Sequence, residues 1–143
     1  MRLYWAAMPD VPLRPLFVKI DCLRLPVHDL DAALAFYRDR LGHELIWRTD
    51  AAAGLRLPDS NAELVLQTEQ PQVETDLAVE SVEAAVERFV AAGGRLLVGP
   101  FEIQIGRCAV VADPFGNVLV VLDASKGLLR TDAGGRVIGN EPP

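Results

Sequence analysis

The sequence predicts an α+β domain built from two tandem β-α-β-β-β units, and three observations carry that prediction. Two amphipathic helices start at polar caps, Asp29 and Ser81, which lie 52 residues apart (81 − 29). They end at Gly42 and at Gly93-Gly94, 51 residues apart (93 − 42). Around each helix lie short apolar or alternating runs divided by turn residues, the last run launched by Asp113-Pro114-Phe115-Gly116-Asn117. Self-similarity at such a period marks a duplicated unit, and one unit is too small to bury both faces of its own sheet.

Residues 1–15 form an N-terminal extension, irregular because Pro9, Pro12 and Pro15 interrupt it. Its Leu3, Tyr4 and Trp5 suit docking on the body or on a partner subunit. The domain proper is 16–125, with units at 16–70 and 71–125. In the first unit, 17–27 alternates as a strand, with Leu23, Leu25 and Val27 on one face and Ile20, Cys22, Arg24 and Pro26 on the other. Leu30, Ala33, Leu34, Tyr37 and Leu41 then recur at helical spacing. Strands follow at 43–49, 55–57 and 62–68. The second unit repeats the order: a strand at 73–80 turns Leu77 and Val79 one way and Glu74, Asp76 and Ala78 the other. Its helix buries Val82, Ala85, Val86 and Phe89, and strands follow at 95–98, 106–112 and 118–122. Residues 126–143 form a C-terminal tail, expected to be extended and partly disordered unless a subunit covers it.

At 143 residues, half of them apolar, the chain suits one domain with a real core. A formal net charge of -6 opposes attraction to nucleic acid or to an anionic membrane surface, so neither is an expected partner. No apolar run reaches membrane-spanning length, and 1–15 lacks the apolar core of a signal peptide. Cys22 and Cys108 have no zinc or disulfide-framework spacing. A cytoplasmic protein with two free thiols is expected.

Val27-His28-Asp29-Leu30-Asp31-Ala32, Phe36-Tyr37-Arg38-Asp39, Leu41-Gly42, Ala91-Ala92-Gly93-Gly94, Gly99-Pro100-Phe101 and Asp113-Pro114-Phe115-Gly116-Asn117 occur in this order. Together with the duplication, they resemble the vicinal oxygen chelate superfamily: glyoxalase I, bleomycin-resistance proteins and extradiol dioxygenases. The resemblance covers about 17–125. It implies a cupped mixed sheet, a pocket where two units face each other, and a homodimer. It also implies a divalent ion held by four side chains, one from the first and one from the last strand of each unit. The positions here are Cys22 and Glu74 (74 − 22 = 52) and, on the last strands, Glu63 and Val120. Valine has no donor atom and a thiol suits softer metals, so the standard site is degenerate and no metal cofactor is expected. The alternative is a magnesium or manganese ion on Glu63, Glu74 and Asp76, although two of these share a strand.

Strand parity puts Cys22, Arg24, Glu63, Gln67, Glu74, Asp76 and Val120 on one pocket face. Buried charges need partners, water or a ligand. Ile20, Val65, Val118 and Val120 would wall such a ligand. Trp47 could stack on it or pack in the core. Three carboxylates against one arginine favour a small polar or cationic molecule, so metal-independent binding or sequestration is the leading expectation. A metal-dependent lyase, isomerase or dioxygenase with Glu63 or Glu74 as base is the alternative.

Overall fold

The structure, a computed structural model, describes residues 13–143. Leu3, Tyr4 and Trp5, expected to dock on the body or on a partner subunit, lie outside the described residues. The first unit holds β1 (Lys19–Pro26), α1 (Leu30–Leu34), β2 (Leu45–Arg48), β3 (Ala52–Arg56) and β4 (Glu63–Gln67). The second holds β5 (Glu74–Ala78), α2 (Val82–Ala91), β6 (Arg95–Ile103), β7 (Gly106–Ala112) and β8 (Val118–Leu122). All eight strands form one mixed sheet, in the order β2-β3-β4-β1-β5-β8-β7-β6. The units meet where β1 and β5 pair antiparallel, Cys22 opposite Asp76 and Arg24 opposite Glu74. That pairing is what a two-fold produces when it exchanges residues 52 apart, Cys22 with Glu74 and Arg24 with Asp76 (22 + 52 = 74, 24 + 52 = 76).

Both helices cover one face of the sheet. Leu30 and Leu34 pack on Ala53, Leu55, Leu64 and Leu66, while Val82 and Ala85 pack on Ala109, Val111 and Val121. The caps act as the sequence requires: Asp29 Oδ1 accepts from the Ala32 N–H at 3.0 Å and Ser81 Oγ from the Ala84 N–H at 3.3 Å. The first helix is not continuous, however. It widens into a π-helical segment, Ala35–Arg40, closed by the Leu41 N–H to the Phe36 carbonyl at 3.0 Å. The wider turn delays the stripe, and Leu41, expected on the buried face, is 54% exposed.

Two strands run longer than expected. β3 starts at Ala52 because Thr49 Oγ1 accepts the Ala51 and Ala52 N–H groups and closes a tight turn. β6 continues through Gly99-Pro100, which reads as a break in sequence but is tolerated on an edge strand. The tail departs most from expectation. Residues 129–140 fold into a hairpin of β9 (Leu129–Thr131) and β10 (Val137–Asn140), because Asp132 Oδ1 accepts the Gly134 and Arg136 N–H groups and Gly135 supplies a positive φ. The hairpin tip joins β2: Arg48 N–H donates to the Gly135 carbonyl at 2.8 Å, and Arg136 pairs with Asp50 at 3.0 Å. Its base is tied to the β6–β7 turn by Asn140 Nδ2 donating to the Gln104 carbonyl at 2.9 Å. The tail therefore links the two units.

Candidate functional site on the helix-free face

The ladder sets the site. Across the four central strands, Glu63, Cys22, Asp76 and Val120 form one row, and Val65, Arg24 and Glu74 form the next. Of the sequence-assigned residues, only Gln67 falls outside these two rows. The two-fold also corrects one assignment. Arg24 pairs with Val65 and Asp76 with Val120, so the counterpart of Val120 is Val65 rather than Glu63. Glu63 lies two residues away on the same face, a difference that period-2 alternation cannot detect.

In the first unit, the Trp47 indole roofs this face. Its Nε1 donates to Glu63 Oε1 at 2.7 Å, and it packs with Cys22, Ala52 and Val65. Gly54 makes the room, since a Cβ there would overlap the indole. Burial pushes the Glu63 carboxyl up, and the Trp47 hydrogen bond partly offsets this. Val65, expected as a ligand wall, is buried under the indole at 1% exposure.

At the unit junction the groups are polar and tightly spaced. Cys22 Sγ approaches Asp76 Oδ2 at 3.5 Å, and Asp76 Oδ1 is buried with no partner among the described residues. Burial and the neighbouring Glu74 carboxyl push Asp76 up to about 8, so it holds a proton at neutral pH. Arg24 is occupied by Glu69 at 3.0 Å and, less closely, by Glu74 at 3.7 Å. Burial and Asp76 push the Cys22 thiol up, and burial with Asp76 and Glu74 pushes Cys108 to about 12. Both thiols are free and neutral, which leaves neither as a nucleophile.

Gln67 serves a different purpose from ligand binding. It is fully buried, its Nε2 donates to the Gln70 carbonyl at 2.8 Å, and its Oε1 accepts the Glu69 and Gln70 N–H groups at 2.7 and 2.9 Å. All its polar atoms are engaged in closing the β4–β5 turn. The second unit contributes an apolar wall. Val98 and Phe101 pair with Val110 and Cys108 and stand exposed, as does Val118 on β8, with Val120 half-buried. Of the further predicted walls, Ile20 is exposed. An open concavity of about 360 Å³ lies at the end of β1, lined by His28, Glu69 and Pro71 among others, next to the Arg24–Glu69 pair.

This donor set does not fit the superfamily's metal. Val65 and Val120 offer no donor, Cys22 is a neutral thiol turned to Asp76, and Glu74 faces Arg24. The alternative oxygen set on Glu63, Glu74 and Asp76 is not assembled: among the described residues, no three His, Cys, Asp or Glu side chains are gathered to hold an ion.

Sequence reasoning missed one polar centre, Asp123, which is 2% exposed. It accepts the N–H groups of Val82, Arg107 and Ser125 and the Ser125 hydroxyl, at 2.7–3.1 Å. Burial alone would raise it, but these bonds hold it below the usual carboxylate range. It is structural: it ties the start of α2 to β7. An aspartate ending an apolar strand beside Ser125 was the available signal.

The family model of the Glyoxalase/Bleomycin resistance protein/Dioxygenase superfamily matches residues 19–121, and the chain belongs to that superfamily. The solved structures it resembles include methylmalonyl-CoA epimerase from Mycobacterium tuberculosis, at 20% identity and TM-score 0.66, covering 80% of this chain and 93% of that one. A hypothetical protein, BH1468 from Bacillus halodurans, matches at 15% identity and TM-score 0.64, covering 78% and 98%. An extradiol ring-cleaving dioxygenase from B. fuscum matches at 23% identity and TM-score 0.56, covering 79% of this chain and 35% of that longer chain. These likenesses establish the vicinal oxygen chelate fold. Comparison with curated proteins gives no match. No helix among the described residues is long and apolar enough to cross a membrane.

Proposed function

We propose that the protein binds a small organic cation on the helix-free face without a metal ion, as a binding or sequestering member of the superfamily. The observation that carries this reading is the Asp76 carboxyl, buried with one oxygen unpartnered among the described residues, beside a second carboxyl and an arginine already paired with Glu69. Once Asp76 ionises, that oxygen is an unpaired buried acceptor and calls for a donor. The Trp47 indole and the wall of Val98, Phe101 and Val118 suit a flat apolar body attached to that donor. Cytoplasmic residence fits the two unpaired thiols.

The proposal has a pH signature. A bound cation favours ionised Asp76, so affinity for a cation rises as pH rises through about 8. Thermal-shift and calorimetric titration with benzylammonium, benzamidinium, benzyl alcohol and benzoate tests it. Stabilisation by the two cations, strengthening with pH and lost in Asp76→Asn, is expected. Stabilisation by benzoate alone overturns the reading. A second arm measures turnover of a hemithioacetal with and without nickel, zinc or manganese, and metal-dependent activity would favour the lyase alternative.

A further inference from the structure

The C-terminal hairpin touches both ends of the sheet. Its tip meets β2, where the Arg48 N–H donates to the Gly135 carbonyl at 2.8 Å and Arg48 bridges Arg136. Its base meets the β6–β7 turn, where Asn140 Nδ2 donates to the Gln104 carbonyl at 2.9 Å. In the strand order β2 is first and β7 seventh, six spacings apart (7 − 1), so a flat sheet would separate them by ~29 Å at ~4.8 Å each. From Gly135 to Asn140 is five residues (140 − 135), ~17 Å of strand. A hydrogen bond at each end adds only ~3 Å. The sheet is therefore curled, and the hairpin is a chord across its concave side. Two helices, each ~10–12 Å across, would not fit beneath so short a chord, so the concave side is the helix-free one.

The two ends of the hairpin are fastened unequally. At the base the Lys126 N–H donates to the Ile105 carbonyl at 2.8 Å and the Glu141 N–H to the Leu128 carbonyl at 2.7 Å. Asn140 Nδ2 donates also to the Gly127 carbonyl at 3.0 Å, and Gly127 is buried. The tip holds by the Arg48–Gly135 bond, by the close passage of Gly135 over Leu45, and by Arg136 with Asp50. The side chains of that ion pair are 51% and 93% exposed, so it adds little. Among the described residues, none of 129–140 belongs to a buried core cluster.

A segment with few buried apolar contacts opens locally before the fold does. We propose that the hairpin is a hinged strap across the mouth of the helix-free face, whose tip releases from β2 while its base holds. Release frees the edge of β2 next to Trp47 and opens the way to Arg24, Glu74 and Asp76. The strap stands on its own contacts, whereas its use as a gate rests on the ligand reading.

Residue-resolved hydrogen exchange on the full chain tests the strap. The Arg48 amide should exchange at least about tenfold faster than the base amides of Lys126 and Glu141. Arg136→Asp, which sets like charges against each other at Asp50, should speed Arg48 exchange further and leave Lys126 unchanged. Adding Asp50→Arg to Arg136→Asp should restore it, at the net charge of wild type. Arg48 exchanging as slowly as the base, or indifferent to Arg136→Asp, overturns the proposal. Lys126 and Arg48 accelerating together would mean that the hairpin leaves as a whole, which overturns the hinge. Stopped-flow tryptophan fluorescence with benzamidinium reads the gate. Arg136→Asp should speed association and dissociation alike, at least about threefold, with both rates restored in the charge-swapped double variant. Unchanged rates overturn the gate. If benzamidinium does not bind wild type, the ligand reading falls and the exchange rates alone decide the strap.

Discussion

The two units share an element order but not a working face. In the first, Trp47 lies over Gly54, satisfies Glu63 and seals Val65. In the second, the corresponding side is open: Val98, Phe101 and Val118 face outward and no described strand lies beyond β6. The units also anchor their helices differently. Among the described residues, Asp29 is the side chain that caps the start of α1, whereas α2 has Ser81 and the long-range Asp123 contact to Val82. Duplication thus gave two similar scaffolds, one finished as a sealed, aromatic half and the other as an open, apolar half. The polar junction of Cys22, Asp76, Glu74 and Arg24 lies between them.

The most direct way to break this comparison is Asp123→Ala. It leaves the buried Val82 and Arg107 N–H groups without their acceptor and should cost about 3 kcal/mol of stability, read from urea denaturation. Because Asp123 is held low in the fold, its contribution is present above the unfolded carboxyl value and is lost as pH falls through the folded one. The variant should therefore unfold with less dependence on acid than wild type; an equal dependence would contradict the assignment.

Asp76 works with the opposite sign. Its folded value of about 8 lies above the ordinary ~4, so the folded state binds more protons between these limits and stability declines as pH rises through that window. Asp76→Asn should flatten the decline and leave the protein more stable at pH ~9 by on the order of 2 kcal/mol. A pH-stability curve indistinguishable from wild type would count against a protonated Asp76.

Gly54→Ala tests the sealed half. The new methyl group must displace the indole and should cost about 1–3 kcal/mol. Tryptophan fluorescence should shift as Trp47 leaves Glu63, and an unshifted spectrum would show that the roof tolerates the methyl. The smallest effect compares the caps: Asp29→Ala and Ser81→Ala should each cost ~1 kcal/mol, with Ser81→Ala the milder because Asp123 still holds the Val82 N–H. Equal losses in thermal melts would remove that distinction.

The repeat, both caps, the terminating glycines and the bounds of β7 and β8 were legible in the sequence, because each follows from chemistry within one turn or one strand. Parity also placed Cys22, Arg24, Glu74, Asp76 and Val120 together on one face. Three things were decided only by pairing partners far along the chain. The ladder substituted Val65 for Glu63 as the counterpart of Val120, because parity fixes a face but not a row. The fate of Gln67 depended on backbone groups that only the closed β4–β5 turn brings to it. The tail, unstructured by composition, gained a hairpin because Arg48, Asp50 and Gln104 meet it in space. The sequence alone determined the repeat and the chemistry available to the helix-free face. The tertiary structure decided which of those groups remain unsatisfied, because burial and hydrogen-bond partners are properties of neighbours that the chain brings together only on folding.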